Sequence, residues 1–526
     1  MNHQVPLIRR TLAAACCLLI GSAAHFSSRV SAQQAHRQSE AASSAVRDGI
    51  PEADRTSPSD HFGRMFDLPP FAPASPSIKA ALVELGRRRG LLDAADDLSA
   101  GPVALIVDPA LSLHNPNNDL DTAGVTFMGQ FLDHDLTFDT SSRLGDPTNP
   151  ERSPNARRPF FDLDSVYGDG PAGSPLLYDP LDRAKFRVES GGIFEDVPRD
   201  GEGRAIIADP RNDENLVISG LHAAFLLFHN HVVDVVRSQQ PDLDPMEIFA
   251  RARQLTTWHY QWLIVHEFLP QFVGLPLVND VLQKGPQFYR PGVEGPYIPV
   301  EFQIAYRFGH SMVRPSYRAN FTGLGGGPLF ALIFDPSQSG SPDPTDLRGG
   351  VRSPRRFVGW TTFFRFPGFE DDVRPNKQID THLSTPLFDL PLGAIASGQP
   401  PSSLAERNLL RHLTWQVPSG QAIAEAMGLP AVPASQLAEL SKVHPRFVSS
   451  TPLWYYVLKE AEVFAQGARL GPVGGRIVAE VFIGLLLADA DSYLNASPRF
   501  SPAIGPAPGQ FQMVDFLTFA GVAGRR

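Results

Sequence analysis

The sequence predicts a mainly α fold, a large helical domain with long Pro/Gly-rich loops and little β structure. Apolar residues recur at helical spacing in nine stretches, whereas the Val/Ile/Thr alternation that marks half-buried strands is scarce. The 49 prolines and 44 glycines fall mainly between those stretches, as connections between helices. Helices are expected over 76–90, 122–138, 212–237, 245–272, 299–315, 402–414, 419–428, 452–466 and 473–494. Residues 317–400 are the least regular part, with Gly323–Gly327 and Pro336–Gly350 as long loops. No linker and no repeat interrupts residues 59–526, which therefore read as one domain, with two lobes allowed by the length.

Residues 1–32 read as an export signal. Arg9 and Arg10 open it, Leu12 to Ala24 form an apolar core too short to span a bilayer, and Val30-Ser31-Ala32 offers a small-residue cleavage site. A stable membrane anchor is not expected. Residues 33–58, rich in Gln, Ser and Ala, read as a flexible leader. Both cysteines, Cys16 and Cys17, lie inside the signal, so the mature chain has no disulfides and no thiolate metal site. Losing the three arginines of the signal takes the formal net charge from −10 to −13. That balance argues against nucleic acid and anionic membranes as partners. The destination is the periplasm or the medium.

Polar residues interrupt the apolar runs in four places. In Gly124–Phe138 the residues Gln130, Asp133 and His134 stand at i, i+3 and i+4 and share one helical face. Asp135 is turned roughly 100° away from His134. Alone, this stretch also suits a capped helix with one satisfied core histidine. In Arg158–Gly168, Asp162 and Asp164 flank one residue on a short turn among Phe160, Phe161 and Tyr167. With Asp135 completing the set, they suit a hard cation such as calcium; a solvated turn is the plainer reading. In Asp209–Ile218, Asp209 caps a helix whose first position is Pro210, which puts Arg211 and Glu214 at i and i+3. The helix that follows is apolar on most of its surface and must be buried. Its His222, His229 and His231 read as core or interhelical histidines, since His229 and His231 face different ways. In Glu301–Arg314, Arg307 and His310 stand at i and i+3, and Gly309 leaves room for a flat ligand beside the backbone. A buried neutral imidazole with space next to it suits an axial haem ligand, with Asn408 as the candidate to hold its second ring nitrogen.

Taken in order, Gly-Gln-Phe-Leu-Asp-His-Asp, Asp-x-Asp-Ser-Val-Tyr-Gly, Arg-Asn-Asp-Glu and Tyr-Arg-Phe-Gly-His resemble the animal-type haem peroxidases of the cyclooxygenase superfamily. The resemblance covers about residue 60 to the end. It implies haem b and calcium as cofactors, with hydrogen peroxide and a halide, pseudohalide or small phenolic donor as partners, and an oxo-ferryl intermediate. By resemblance His134 is the distal acid–base histidine, Arg211 the distal arginine and Gln130 the distal-pocket glutamine. His310 is the proximal iron ligand and Asn408 its partner. Asp133 and Glu214 match the carboxylates that ester-link the haem. Arg307 and Arg411 match partners for its propionates. Asp135, Arg158, Phe160, Asp162 and Asp164 fall at calcium-ligand positions.

The sequence departs from the family at three of these places. Asn215 follows the esterifying glutamate where myeloperoxidase has a vinyl-linked methionine. Arg158 stands where threonine is usual, so only its carbonyl remains for calcium, and Asp164 replaces a serine. The resemblance also leaves a fatty-acid dioxygenase of the same superfamily as an alternative, although Arg307 stands where its radical tyrosine belongs and Tyr306 is one residue off. A non-catalytic exported binding or matrix protein that keeps the fold is the other. A haem-free metal-binding helical protein would rest on His229 and His231 alone. Oligomeric state is not legible.

Overall fold

A computed structural model describes residues 61–523, apart from 191–193, 292–294, 322–326 and 351. The expected export signal, the leader and both cysteines lie outside the described residues, as does most of the loop at 323–327. Helices dominate the described chain. Apart from isolated bridges, the β structure among the described residues is four two-stranded ribbons. One of them pairs Ser316–Arg318 with Phe330–Leu332 antiparallel, Tyr317 opposite Ala331. Another joins Asn117–Thr122 to Pro375–Lys377. Buried side chains from Phe62 to Val522 form one contiguous core.

The expected helices form, and their ends differ for local reasons. Helix α1 (Pro76–Gly86) begins with Ser75 accepting from Ile78 N and Pro76 in the first position. It stops four residues earlier than expected. Gly86 is packed so closely on the start of a later helix that a Cβ there would lie 2.6 Å from the Glu406 backbone, and Ser403 Oγ donates to the Gly86 carbonyl (2.6 Å). Helix α2 (Ala123–Leu136) is buried on most of its surface. The element expected to begin at 212 is two elements. A 3₁₀ turn, Pro210–Asp213, is capped by Asp209. Then Asn215 adopts an extended conformation and caps helix α3 (Leu216–Gln239). Helix α3 is long and apolar enough to cross a bilayer, yet most of it is buried in the core.

Helix α4 (Pro245–Leu263) starts with a capping box between Asp244 and Glu247. A π turn, Ile264–Phe268, then leads into Leu269–Val273, with Leu269 N donating to Ile264 O, five residues back. Pro270 follows with no N–H to give, so the wider turn absorbs a residue that would break a continuous α-helix. The segment expected as one helix over 299–315 divides likewise into α5 (Val300–Ala305) and a 3₁₀ stretch, Tyr306–Met312.

Helix α6 (Leu404–Thr414) is capped by Ser403 and packs on α1. Helices α7 (Leu453–Ala465) and α8 (Pro472–Ala488) pack on each other and on α5. Glu460 of α7 accepts from Val473 N (2.9 Å) and Gly474 N (3.0 Å), filling donors at the buried start of α8. Helices at 101–107, 275–284 and 513–519 were not expected from periodicity. Their short lengths leave too few turns to establish a period. Helix α2 lies against both α3 and the 306–312 stretch, and this layering positions the site.

Candidate active site

One cleft of ≈250 Å³ takes its candidate catalytic and haem-binding side chains from four separate parts of the chain. Helix α2 gives Gln130, Asp133 and His134, and the turn before α3 gives Arg211 and Glu214. The 3₁₀ stretch gives Arg307 and His310, and α6 gives Arg411. Eight of the nine residues expected to act on haem or substrate thus line one cavity, and the ninth, Asn408, touches it through His310. Asp135 points elsewhere, as the helical offset requires.

His134 is held by Asn212. Its Nδ1 lies 2.9 Å from Asn212 Oδ1, while Asn212 Nδ2 donates to His222 Nδ1 (3.0 Å). The Nδ1–H of His134 is therefore given to the amide oxygen, which leaves Nε2 as the basic nitrogen. Burial, reinforced by the nearby Arg211 charge, lowers the His134 pKa to about 4, so the ring is neutral at ordinary pH. Asn212 is fully buried. It lies within the Arg-Asn-Asp-Glu motif, but its spacing from His134 along the chain gave no sign of this role.

Arg211 places Nε and Nη2 on Asp209 (3.0 and 2.7 Å) and Nη2 also on the His134 carbonyl (3.0 Å). Burial disfavours its charge, but the Asp209 carboxylate more than offsets this and holds its pKa above the ordinary value. The guanidinium lies over the Phe138 ring, 4.2 Å from its centroid. Nη1 makes no hydrogen bond to a described residue, so it is the donor left for a ligand. Burial raises the Glu214 carboxyl to about 8. Glu214 Oε2 stands 3.4 Å from Gln130 Nε2 and 3.9 Å from His134 Nε2.

Opposite this group, Asn408 Nδ2 lies 2.8 Å from His310 Nδ1. Arg307 Nη1 stands 3.1 Å from Asn408 Oδ1; for His310 Nε2 to bind a metal, its Nδ1–H must donate, which needs the Asn408 amide oxygen turned to the ring. Burial, aided by the Arg307 charge, depresses His310 to about 3. The 3₁₀ geometry turns about 120° per residue, so Arg307 and His310 lie in one row. Tyr306, expected to be turned away, also lines the cleft, with its hydroxyl given to the Gly129 carbonyl (3.0 Å). Arg411 is not free: it pairs with Asp139 and Ser142 and lies over Trp415.

The lining fits a haem. His310 offers a neutral imidazole, and a Cβ built on Gly309 would meet only Met312 Cε, at 3.9 Å. The backbone there is therefore open to a flat ligand, and the carboxylates of Asp133 and Glu214 share the same cavity. Apolar walls come from Phe268, Leu387, Leu390, Ile395 and Leu404. Arg407 also lines it and was missed, because nothing in its sequence context separates it from a solvated helix position.

Behind α2, one carboxylate oxygen from each of Asp135, Asp162 and Asp164 lies within 4.8 Å of the others. Asp135 accepts from Leu163 N (3.1 Å), Ser165 Oγ (3.0 Å) and Tyr260 Oη (3.1 Å). Burial first, and then the two neighbouring carboxylates, raises it well above the usual range. Two buried acids and a half-buried third, with one local excess of negative charge, suit a hard cation. Arg158, expected to offer its carbonyl, lies beside this group. Its guanidinium pairs with Asp162 (2.7 Å) and its carbonyl already accepts from Phe160 N (2.8 Å). His222, His229 and His231 are hydrogen-bonded core histidines as expected, on Asn212, on Tyr167 and Ala184, and on Phe519.

Comparison with known proteins agrees with this geometry. A family model described as animal haem peroxidase matches residues 136–324. That stretch includes Arg211, Glu214 and His310 but begins two residues after His134. Chorion peroxidase of Aedes aegypti is 23% identical over 316 residues, 58% of this chain and 36% of that protein. The chain thus spans about a third of that curated relative. Among solved structures, Peroxidase A from Dictyostelium discoideum superposes with a TM-score of 0.51 at 15% identity, covering 84% of this chain and 96% of the other. The fatty acid alpha-dioxygenase of Oryza sativa gives 0.55 at 14% identity, covering 88% and 79%. These two likenesses are of fold, and both are helical peroxidase folds. With the motifs in order and two histidines facing one cleft, the match over residues 136–324 identifies an animal haem peroxidase domain as what this part of the chain is similar to.

Proposed function

We propose that the chain is an exported peroxidase that holds haem b in the cleft, reduces hydrogen peroxide and oxidises a halide, a pseudohalide or a small phenolic donor. The observation that carries this reading is the pair of neutral histidines, His134 and His310, lining one cavity with the second ring nitrogen of each held by an asparagine. Bound haem supplies the iron-centred redox chemistry. His310 holds the iron, and Asp133 and Glu214 are the carboxylates available for ester links to the macrocycle. His134 accepts a proton from peroxide through Nε2 and returns it to the departing oxygen. Arg211 stabilises the charge that develops on that oxygen through Nη1. Asp135, Asp162 and Asp164 hold a calcium ion behind α2, tying this helix to the 162–164 turn. Export rests on residues 1–32.

A second reading, fatty-acid dioxygenase, draws on Tyr306 lining the cleft four residues before His310. The deciding experiment is the absorption spectrum of the purified protein before and after acidic-acetone extraction, followed by two assays. A Soret band with peroxide-dependent dye oxidation supports the peroxidase. Oxygen uptake with an unsaturated fatty acid and no dye oxidation supports the dioxygenase. A protein without a Soret band after growth with haem precursor is the non-catalytic binding protein. A band that resists extraction supports the ester links.

A further inference from the structure

We propose that Thr137 is a positioning residue that holds Oδ1 of Asp133 and leaves Oδ2 to form the ester link to haem, so that attachment at Asp133 runs ahead of attachment at Glu214. The proposal rests on the peroxidase reading above and orders the two links that it allows.

Helix α2 ends at Leu136, and Thr137 adopts an extended conformation (φ −136°, ψ 134°), which suits a β-branched residue. Thr137 is buried, with 2% of its surface exposed, and it lines the cleft together with Asp133. Its Oγ1 lies 3.1 Å from Asp133 Oδ1 and 3.3 Å from the Asp133 carbonyl. A hydroxyl has one proton to give. The carbonyl already accepts from Thr137 N at 2.9 Å, so the hydroxyl proton goes to the carboxylate. Among the described residues the Asp133 carboxylate receives no other hydrogen bond and forms no ion pair. Arg211, Arg307, His134 and Glu214 feel its charge without a hydrogen bond to it. Oδ2 is therefore the oxygen left for a ligand.

In the link, Oδ2 bonds to the carbon of a haem methyl as one C–H there breaks. The two electrons released, with the methyl proton and one more from solvent, reduce one hydrogen peroxide to two waters. Oδ1 becomes the ester carbonyl oxygen and still accepts from Thr137, so the hydrogen bond survives the reaction. Glu214 lacks such support. Its Oε2 meets Gln130 Nε2 only at 3.4 Å, and burial raises the carboxyl to about 8, which leaves it largely protonated and a poor nucleophile at neutral pH.

The test loads the purified protein with haem b and adds hydrogen peroxide in small steps. Linked haem is followed on denaturing gels, and mass spectrometry of the digested protein assigns each link to Asp133 or Glu214. In the wild type the Asp133 link is expected first. Thr137→Val keeps the β-branch but has no proton to give. Its Asp133 link should form about tenfold more slowly, as for one lost hydrogen bond to a carboxylate, with the Glu214 rate unchanged. Thr137→Ser should restore the Asp133 rate. With isotope-labelled aspartate, the infrared stretch of the ester carbonyl should move to higher wavenumber in the Val variant, a shift that loosened packing alone does not produce. A Glu214 link that forms first, an Asp133 link as fast in the Val variant, or both links slowed equally overturns the inference. So does a wild-type Soret band with no link at Asp133, which leaves the peroxidase reading intact. A wild-type protein without a Soret band overturns both.

Discussion

Asn212→Asp puts the role of the distal histidine to a quantitative test. In the wild type a neutral amide oxygen 2.9 Å from His134 Nδ1 fixes the tautomer, and burial together with Arg211 sets the pKa near 4. An aspartate of nearly the same shape puts a carboxylate at that distance. An opposite charge so close raises a histidine by about 1–3 units, or about 1.4–4 kcal/mol in favour of the imidazolium. The midpoint then moves from near 4 to about 5–7. His222 can still be satisfied, because its ring can donate where it now accepts. Only neutral His134 can take a proton, so the peroxide rate follows the deprotonated fraction. It rises as pH increases through the pKa and is lost below it. The wild-type rate should be nearly flat from about pH 5 to 8. The Asn212→Asp variant should match it at about pH 8 and fall about tenfold by pH 5 if its pKa is near 6. Stopped-flow mixing with peroxide across this range reads the effect directly, with circular dichroism to establish folding. An acid limb that stays within about half a unit of the wild type would refute the coupling of Asn212 to the base.

Other consequences follow from the same geometry. Asn408→Ala removes the partner of His310 Nδ1 and leaves Arg307 without its amide neighbour. Haem should be retained about 10–100-fold less tightly, as for a lost outer partner of a ligating histidine, measured by haem transfer to apomyoglobin. Calcium should raise the thermal midpoint of the chelator-treated wild type but not of Asp135→Ala. At about 100-fold excess over Kd the stabilisation is about 2.7 kcal/mol, and equal responses in the two proteins would remove the cation site. Gly420→Ala builds a Cβ only 1.9 Å from Tyr456 Cγ. Overpacking of that kind should cost about 1–3 kcal/mol in urea unfolding, and an unchanged midpoint would show that the ring can move aside.

Some of the fold was legible along the chain because it depends on short-range periodicity, and much of the candidate site because four motifs resemble those of a known family. The i, i+3, i+4 spacing of Gln130, Asp133 and His134 settles which side chains share a face, and the offset of Asp135 settles that it leaves. Backbone detail was less legible. The π turn before Pro270 and the 3₁₀ stretch at Tyr306–Met312 keep an apolar pattern that resembles an α-helix, so the hydrophobic period gives no sign of the altered turn.

Side-chain identity and local spacing were enough to settle the helical class, the order of the four polar clusters and the chemistry that each residue type could supply. Hydrogen-bond partners are a different matter, because they came only with folding. His134 and Asn212, Gln130 and Asn215, and His310 and Asn408 are each separated by 78 to 98 residues. A buried amide is indifferent, in sequence, to which donor or acceptor it will meet. It becomes a tautomer lock or an orienting group only when the chain closes around it, removes water and leaves it one partner at each end.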